Sequence, residues 1–248
     1  MTRGLTAYQL KIIAIIAMAI NHLAHIVVLL PIDRGVMNVM LTPMNMIGKL
    51  TIPIMCFFVA EGYYHTSNLK KYLLRMFIFA AISQVPFYLF EYNLPADFAE
   101  FIRNFMHFNV IFTLAMGLLA LTVWKSEKLH TVLKIPLVAA IAFLTKNSDW
   151  RIFAVLWILA FGTFRGDFKK QAAAFIILTA IRVLVYYVYP SMPLINLKSI
   201  ISQSCTVPAL VLLYFYNGQL GRKTKYGFYI FYPAHLAVLA VVKFIIMG

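Results

Sequence analysis

The chain has 248 residues, of which 62% are hydrophobic, and a mean hydropathy of +0.84. A soluble globular domain, typically about half apolar, does not reach these values, so the composition excludes that class and indicates a membrane protein. A formal net charge of +14 would suit a nucleic-acid partner, but the basic residues collect in the short connections between apolar runs. That distribution indicates orientation in a membrane instead.

Nine apolar runs follow one another, most of them near the ~20 residues that a spanning helix needs. They cover residues 5–30, 44–64, 69–91, 107–125, 132–145, 151–164, 170–190, 199–217 and 226–247. The fifth and sixth are short enough to form a re-entrant pair, and removing both leaves the chain ends on the same sides. We therefore expect an all-α fold, a polytopic membrane helix bundle of about nine transmembrane helices, with residues 1–248 as one domain.

The connections between the runs differ in charge from one side to the other. Taking the N-terminus and alternate connections as one side gives thirteen cations: Arg3, Lys70, Lys71, Arg75, Lys125, Lys128, Lys134, Arg165, Lys169, Lys170, Arg222, Lys223 and Lys225. The other side has six cations: Arg34, Arg103, Lys146, Arg151, Lys198 and Lys243. The positive-inside rule then predicts a cytoplasmic N-terminus and an external C-terminus in the cell membrane.

The first run, KIIAIIAMAINHLAHIVVLL, carries Lys11 near its start and Asn21, His22 and His25 near its middle. An ionisable side chain at membrane depth is costly unless it is paired or lies in a cavity. Lys11 and His22 are eleven positions apart, so they share one helix face and stand roughly 16 Å apart, and His25 extends that stripe. Either residue alone fits a snorkelling lysine or a hydrogen-bonded core histidine, but the pair at this spacing is more specific.

The second run, GKLTIPIMCFFVAEG, places Lys49 towards the outside and Glu61 towards the cytoplasm. Because this helix runs inward, Glu61 is expected at the depth of Lys11 and is predicted to pair with it. Such a pair fits both a structural ion pair and the wall of a functional cavity. Further polar candidates are Arg182 in the seventh run, His235 in the last run and Asn109 at the outer start of the fourth.

Several kinds of chemistry lack support in the sequence. His22 and His25 are one turn apart and could share a metal ion with Glu61 or His235, but the depth of Glu61 argues against its reaching them. No Cys/His cluster has ligand spacing, and there is no GxSxG elbow, Walker loop or Rossmann glycine pattern. We therefore expect no metal site and no nucleotide-binding motif of these kinds.

Four stretches together resemble the TraX family, whose best-known member N-acetylates the conjugative pilin. They are KIIAIIAMAINHLAH, GKLTIPIMCFFVAEG, FNVIFTL and KYGFYIFYPAHLAVL, and they run in order along nearly the whole chain. TraX proteins resemble the wider transmembrane acyltransferases, which carry a basic residue followed about ten residues later by a histidine in the first helix. Lys11 and His22 fit this spacing, whereas Asn21 stands where the family commonly has aspartate.

The resemblance implies an integral membrane acetyltransferase that uses cytoplasmic acetyl-CoA. The acceptor would be an amine or a hydroxyl on a pilin-like N-terminus, a peptide or a glycan. By the same resemblance His22 is the catalytic histidine, Lys49 the basic residue of the second-span motif and His235 the histidine of the final motif. His22 would act as general base, or would carry the acetyl group in a covalent variant of the reaction, and neither mechanism needs a metal.

The predicted site follows from this reaction. The phosphates of acetyl-CoA would meet the basic inner rim, and its pantetheine arm would follow the first helix from Lys11 to His22. The candidate catalytic residues are His22, Lys11, His25 and His235. The candidate cofactor-binding residues are Lys11, Arg75, Arg222, Lys223 and Lys225. The candidate supporting residues of the cavity are Asn21, Lys49, Glu61, Arg182 and Asn109.

Two other classes of function remain open. In a transporter or channel the same ionisable residues would line a path for ions or solutes. The sequence shows neither an inverted repeat nor paired helices broken by Gly and Pro, which disfavours this class. A membrane scaffold without chemistry would leave the spacing of Lys11 and His22 unexplained.

Overall fold

A computed structural model describes residues 4–188, 197–222 and 226–247. Within these residues the chain forms twelve α-helices and no β-strand, which confirms the predicted all-α class. The helices are α1 (Ala7–Val27), α2 (Arg34–Gly48), α3 (Thr51–His65), α4 (Leu69–Glu91), α5 (Phe98–Phe105), α6 (Val110–Trp124), α7 (Thr131–Leu144), α8 (Arg151–Thr163), α9 (Phe168–Val188), α10 (Leu197–Ser204), α11 (Ala209–Tyr214) and α12 (Gly227–Met247).

Four helical segments among the described residues are long and apolar enough to cross a membrane: α1, the α2–α3 segment from Arg34 to His65, α4 and α12. Shorter apolar helices are α6, α7, α8 and the segment Ile200–Tyr214. This set fits the predicted polytopic bundle, while the number of nine spans stays a prediction. The predicted eighth run is divided into α10 and α11, and α5 is an additional short helix outside the nine runs.

The second predicted run is wrong in its boundary and its continuity. The helical segment begins at Arg34, ten residues before the predicted start, and it breaks between α2 and α3. Pro53 explains the break, because its missing N–H would otherwise bond to the carbonyl of Lys49, four residues earlier. The chain turns tightly there, with the Lys49 N–H bonded to Met46 O at 3.2 Å. Lys49 therefore lies at a helix break.

Side chains and backbone fix the start of α1. Thr6 and Gln9 form a reciprocal capping box, in which each side chain accepts a hydrogen bond from the backbone N–H of the other. The backbone N–H of Leu5 donates to Phe215 O at 2.7 Å, and that of Ala7 donates to Gln219 O at 2.8 Å. The connection after α11 thus anchors the helix that carries Lys11 and His22.

The core lies between α3, α6, α8 and α9. Trp157, Phe161 and Phe175 are completely or almost completely buried there. Gly117 lets α6 approach α8 closely, because a methyl group at this position would overlap the side chain of Ile158. Small residues serve this purpose in membrane helix bundles, where close packing rather than a hydrophobic driving force joins the helices. On the other side of α3 and α6, α1, α4 and α12 leave a large cavity.

Candidate active site

The cavity has a volume of about 1280 Å³ and is bounded by residues of α1, α2, α3, α4, α6, α7, α8, α9, α10 and α12. An ordinary small-molecule pocket has roughly 300–1,000 Å³, so this cavity has room for more than one substrate. What we call its Lys11 end is lined by Lys11, His65, Tyr72, Arg75 and Phe228. What we call its Asp149 end is lined by His25, Glu91, His107, Asp149 and Arg151.

Many of the residues predicted for the site line this one cavity. Those on its wall are Lys11, Asn21, His22, His25, Lys49, Arg75 and Arg182. Those that do not line it are Glu61, Asn109, Arg222 and His235. Lys223 and Lys225 lie outside the described residues. All four predicted residues of the first helix therefore line the same cavity.

His22 and His235 touch each other across the interface between α1 and α12. His22 Nδ1 lies 2.7 Å from His235 Nε2, and the two rings stack with their centroids 5.0 Å apart. The second nitrogen of His235, Nδ1, lies 2.8 Å from the carbonyl oxygen of Phe231, one turn earlier in α12. A histidine that does not line the cavity is thus bonded to the histidine that does.

These contacts determine which nitrogen of His22 keeps a free lone pair. A carbonyl oxygen only accepts hydrogen bonds, so His235 carries its proton on Nδ1 and donates it to Phe231. In neutral His235 the Nε2 atom is then an acceptor, and the proton of the shared bond belongs to His22 Nδ1. The remaining nitrogen of neutral His22, Nε2, keeps a lone pair. The geometry therefore prepares His22 Nε2 to accept a proton.

His22 lies near the end of α4. Its ring packs at 5.3 Å against Phe90, the residue before the end of α4, and at 6.5 Å against Tyr232 of α12. One turn further along α1, His25 Nδ1 lies 3.9 Å from Glu91 Oε2, the last residue of α4. His22 is therefore closer to the Asp149 end than to the Lys11 end, and His25 lies beside a carboxylate at that end.

Cations and aromatic rings form the Lys11 end. Lys11 Nζ lies 5.0 Å from the ring centre of Phe58 and 5.7 Å from that of Phe228. The Arg75 guanidinium lies 5.4 Å from the ring of Tyr72 and 5.3 Å from that of Tyr229. Such contacts hold a cation without neutralising it. Neither Lys11 nor Arg75 forms an ion pair with a carboxylate among the described residues.

The predicted pair between Lys11 and Glu61 is wrong. Glu61 Oε1 accepts a hydrogen bond of 2.8 Å from Arg165 Nε, and Glu61 Oε2 lies 3.1 Å from Arg165 Nη2 and 3.3 Å from His65 Nε2. The Arg165 guanidinium also stacks at 4.6 Å on Tyr64. Depth in the membrane does not specify which way a side chain points around its helix, and Glu61 points towards the α8–α9 connection rather than towards α1.

Two further predicted residues have other positions. Asn109 is fully buried and caps α6, with its amide nitrogen 2.7 Å from Ala80 O and 2.8 Å from Gln84 Oε1. It positions the start of a helix that lines the cavity and does not reach the cavity itself. Arg222 is exposed and lies off the cavity wall.

The sequence reasoning missed the role of the α7–α8 connection, which carries Asp149 and Trp150 onto the cavity wall. Lys49 Nζ lies 5.1 Å from the Trp150 ring centre, and the Arg182 guanidinium lies 5.2 Å from it. Burial raises the pKa of Asp149 to about 7, and the charge of Glu91 adds to this shift. No motif marks these residues, because the wall forms only when α2, α7, α8 and α9 pack together.

Comparisons with known proteins agree with the motifs. Residues 6–243 match the family described as TraX protein. The chain belongs to the TraX family. A curated relative is the "Probable fimbrial assembly protein FimC, serogroup H1" of Dichelobacter nodosus, which is 36% identical over 250 residues and covers 96% of each chain. No solved structure matches the chain.

We predict that His235 fixes the orientation of the His22 side chain in this TraX protein. Replacing His235 with leucine leaves the Nδ1–H of His22 without an acceptor, which costs about 1–3 kcal/mol. The rate of transfer should therefore fall roughly 10- to 100-fold. His235→Gln keeps an acceptor oxygen and is expected to recover most of that loss. The measurement is the pH dependence of the acetyl transfer that the resemblance to TraX proteins implies: His235→Leu should shift the acidic limb, where a base loses its proton, because the hydrogen bond that fixes the tautomer of His22 is gone. Equal pH profiles for the two variants contradict this role.

Proposed function

We propose that this TraX protein is an integral membrane acetyltransferase that moves an acetyl group from acetyl-CoA to an amine or hydroxyl acceptor. Membership of the TraX family and similarity to a protein named for fimbrial assembly support an acceptor on a pilin-like N-terminus, with a peptide or glycan as the wider class. The protein would work in the cell membrane, with the Lys11 end of the cavity facing the cytoplasm, because the connections at that end carry most of the cations.

The observation that supports this proposal best is the position of His22 on a cavity that extends from one end of the bundle to the other. A donor entering at the Lys11 end and an acceptor entering at the Asp149 end would meet near Nε2 of His22. The acceptor nitrogen or oxygen forms a bond to the acetyl carbon, and the bond from that carbon to sulfur breaks. Nε2 takes the proton of the acceptor and returns it to the thiolate of coenzyme A.

The Lys11 end fits the donor. Arg75 Nε is buried and has no hydrogen-bond partner in the described part of the chain. A buried guanidinium N–H without an acceptor is costly, and a phosphate oxygen supplies one. Lys11 lies on the same end of the cavity, eleven positions before His22. That distance, about 16 Å along the helix, suits the extended pantetheine arm between the phosphates and the thioester.

Calorimetry with coenzyme A and the detergent-purified full-length protein tests the proposal. We expect binding that weakens as salt rises, because the phosphates interact with Lys11 and Arg75. Arg75→Gln is expected to weaken binding about 10- to 100-fold, the range for a lost hydrogen bond to a charged group. Lys70→Gln is the matched control, since Lys70 is an exposed cation on the same helix and does not line the cavity. It should change the dissociation constant less than twofold.

Absence of coenzyme A binding up to millimolar concentration contradicts the proposal. A transporter is the second candidate, because a cavity lined by ionisable residues between both ends also suits a translocation path. Vesicles containing the protein separate the two functions. An acetyltransferase moves label from acetyl-CoA to an acceptor without net flux of ions, whereas a transporter produces flux in the absence of acetyl-CoA.

A further inference from the structure

A second cluster of cations lies on the cavity wall, away from the Lys11 end. Lys49 comes from the break between α2 and α3, and Arg182 comes from α9. Both charges lie about 5 Å from the ring centre of Trp150, so they are within about 10 Å of each other. All three side chains line the cavity. We call them the Trp150 cluster.

The Trp150 cluster has more positive than negative charge. All eight acidic residues of the chain lie among the described residues, and none forms an ion pair with Lys49. Asp149, the residue before Trp150, is the carboxyl group that interacts electrostatically with Lys49, and one carboxylate does not balance the charge of two cations. Two neighbouring cations at one indole ring are stabilised most by an anion that enters from the cavity.

Hydrogen bonds hold the backbone of the loop that carries Trp150 in an unusual conformation. Trp150 and Arg151 have φ angles of 63° and 48°, the left-handed region that large side chains rarely adopt. Backbone strain of this kind persists only where the surroundings fix it, and it is concentrated at functional sites. The surroundings do so here: the Thr113 hydroxyl lies 2.8 Å from Asp149 O, and the Asp149 N–H donates to Phe108 O at 2.9 Å. These hydrogen bonds fix the backbone of the loop that places the Trp150 indole on the cavity wall.

The Trp150 cluster lies close to the level of His22. Gly48, the residue before Lys49, packs directly on Asn21, the residue before His22, and a methyl group at Gly48 would overlap the Asn21 side chain. Both Asn21 and Gly48 also line the cavity. A molecule whose reacting group is at His22 can therefore place a second group at the Trp150 cluster within the same cavity.

We propose that the Trp150 cluster binds an anionic group, a carboxylate or a phosphate, on the acceptor. This inference rests on the proposed acetyl transfer and adds a requirement to its substrate. The acceptor carries its amine or hydroxyl at His22 and a negative charge near it. Lys49 supplies a point charge, and Arg182, whose Nη2 donates to Gln203 O at 2.7 Å, adds a second positive charge beside the same indole ring. Neutral acceptors react without this anchoring and bind more weakly.

Binding is tested first, without any acetyl donor. The probes are inorganic phosphate and glutarate, with neutral glutaramide as the matched control, added to the full-length protein in detergent. We expect both anions to change the tryptophan fluorescence at millimolar concentration, and we expect Trp150→Phe to remove the change. Lys49→Gln should weaken anion binding at least 10-fold, while Lys49→Arg keeps the charge and should stay within threefold. Lys146→Gln is the control for charge alone, since Lys146 is on the same wall and stacks on Phe143 instead.

Transfer is tested with matched acceptors that differ in one charge: peptides with glutamate or glutamine, and with phosphoserine or serine, beside the reacting amine. We expect the KM of the anionic acceptors to be at least 10-fold lower than that of the neutral ones, Lys49→Gln to remove this difference and Lys49→Arg to retain it. The carboxylate and phosphate arms identify the natural type of anion. Equal anion binding by the native protein and Lys49→Gln overturns the inference. Lys49-dependent anion binding without any acetyl transfer overturns the proposed reaction and leaves the anion site in place.

Discussion

Replacing His22 with alanine is expected to lower acetyl transfer by about 10²–10⁴-fold, the usual contribution of a general base. The physical reason is that Nε2 of His22 carries a lone pair that the hydrogen bonds of the His22–His235 pair leave free to accept a proton. Coenzyme A binding should remain within threefold, because the phosphates would be held at the Lys11 end, about 16 Å away along α1. Transfer from labelled acetyl-CoA and calorimetry on the same preparation measure the two effects separately.

His25→Ala is the matched control for His22→Ala. His25 lies one turn further along α1, lines the same cavity and contacts Glu91 rather than His235. Its loss should raise the KM for the acceptor more than it lowers kcat, because it lies at the end where the acceptor would enter. If His22→Ala keeps near-normal turnover while His25→Ala or His235→Ala is inactive, the base is on another residue. If all three retain turnover, an intramembrane histidine is not the base.

The sequence predicted well what depends on periodicity. Apolar runs near the length of a spanning helix marked α1, α4 and α12, because burial in lipid requires continuous helices of apolar residues. The common face of Lys11 and His22 follows from the 3.6-residue repeat alone, and both residues line the cavity. The motifs also identified the family, which the match over residues 6–243 confirms.

Contacts between distant helices could not be predicted in this way. The bond between His22 and His235 joins positions 213 residues apart, and only the packing of α1 on α12 makes it. The predicted partner of Glu61 was wrong for the same reason: hydropathy gives the depth of a residue but not the rotation of its helix. The break at Lys49 had a signal in the sequence, since Pro53 removes the N–H that would bond to its carbonyl.

Loss of Arg165 is expected to destabilise the protein by about 2–3 kcal/mol, near the lower limit for breaking a buried ion pair. The Glu61 side chain is only 11% exposed, whereas that of Arg165 is 38% exposed. Leaving Glu61 unpaired therefore costs more free energy than leaving Arg165 unpaired. Arg165→Ala leaves a buried carboxylate with His65 as its remaining contact among the described residues. Glu61→Gln leaves a guanidinium that can turn towards water and keeps the volume of the side chain, and should cost less than half as much.

The double variant decides whether the cost comes from an unpaired charge. Adding Glu61→Gln to Arg165→Ala removes the buried charge, so the double variant should be more stable than Arg165→Ala alone, a non-additivity that only residues in contact show. Unfolding of the purified protein in mixed detergent measures the free energies, and Lys169→Ala, an exposed cation of α9, is the control. If the double variant is the least stable of the set, the Glu61 carboxylate stabilises the protein through an interaction other than its ion pair with Arg165. Coenzyme A binding should remain unchanged in all of them, because Glu61 and Arg165 lie off the cavity wall.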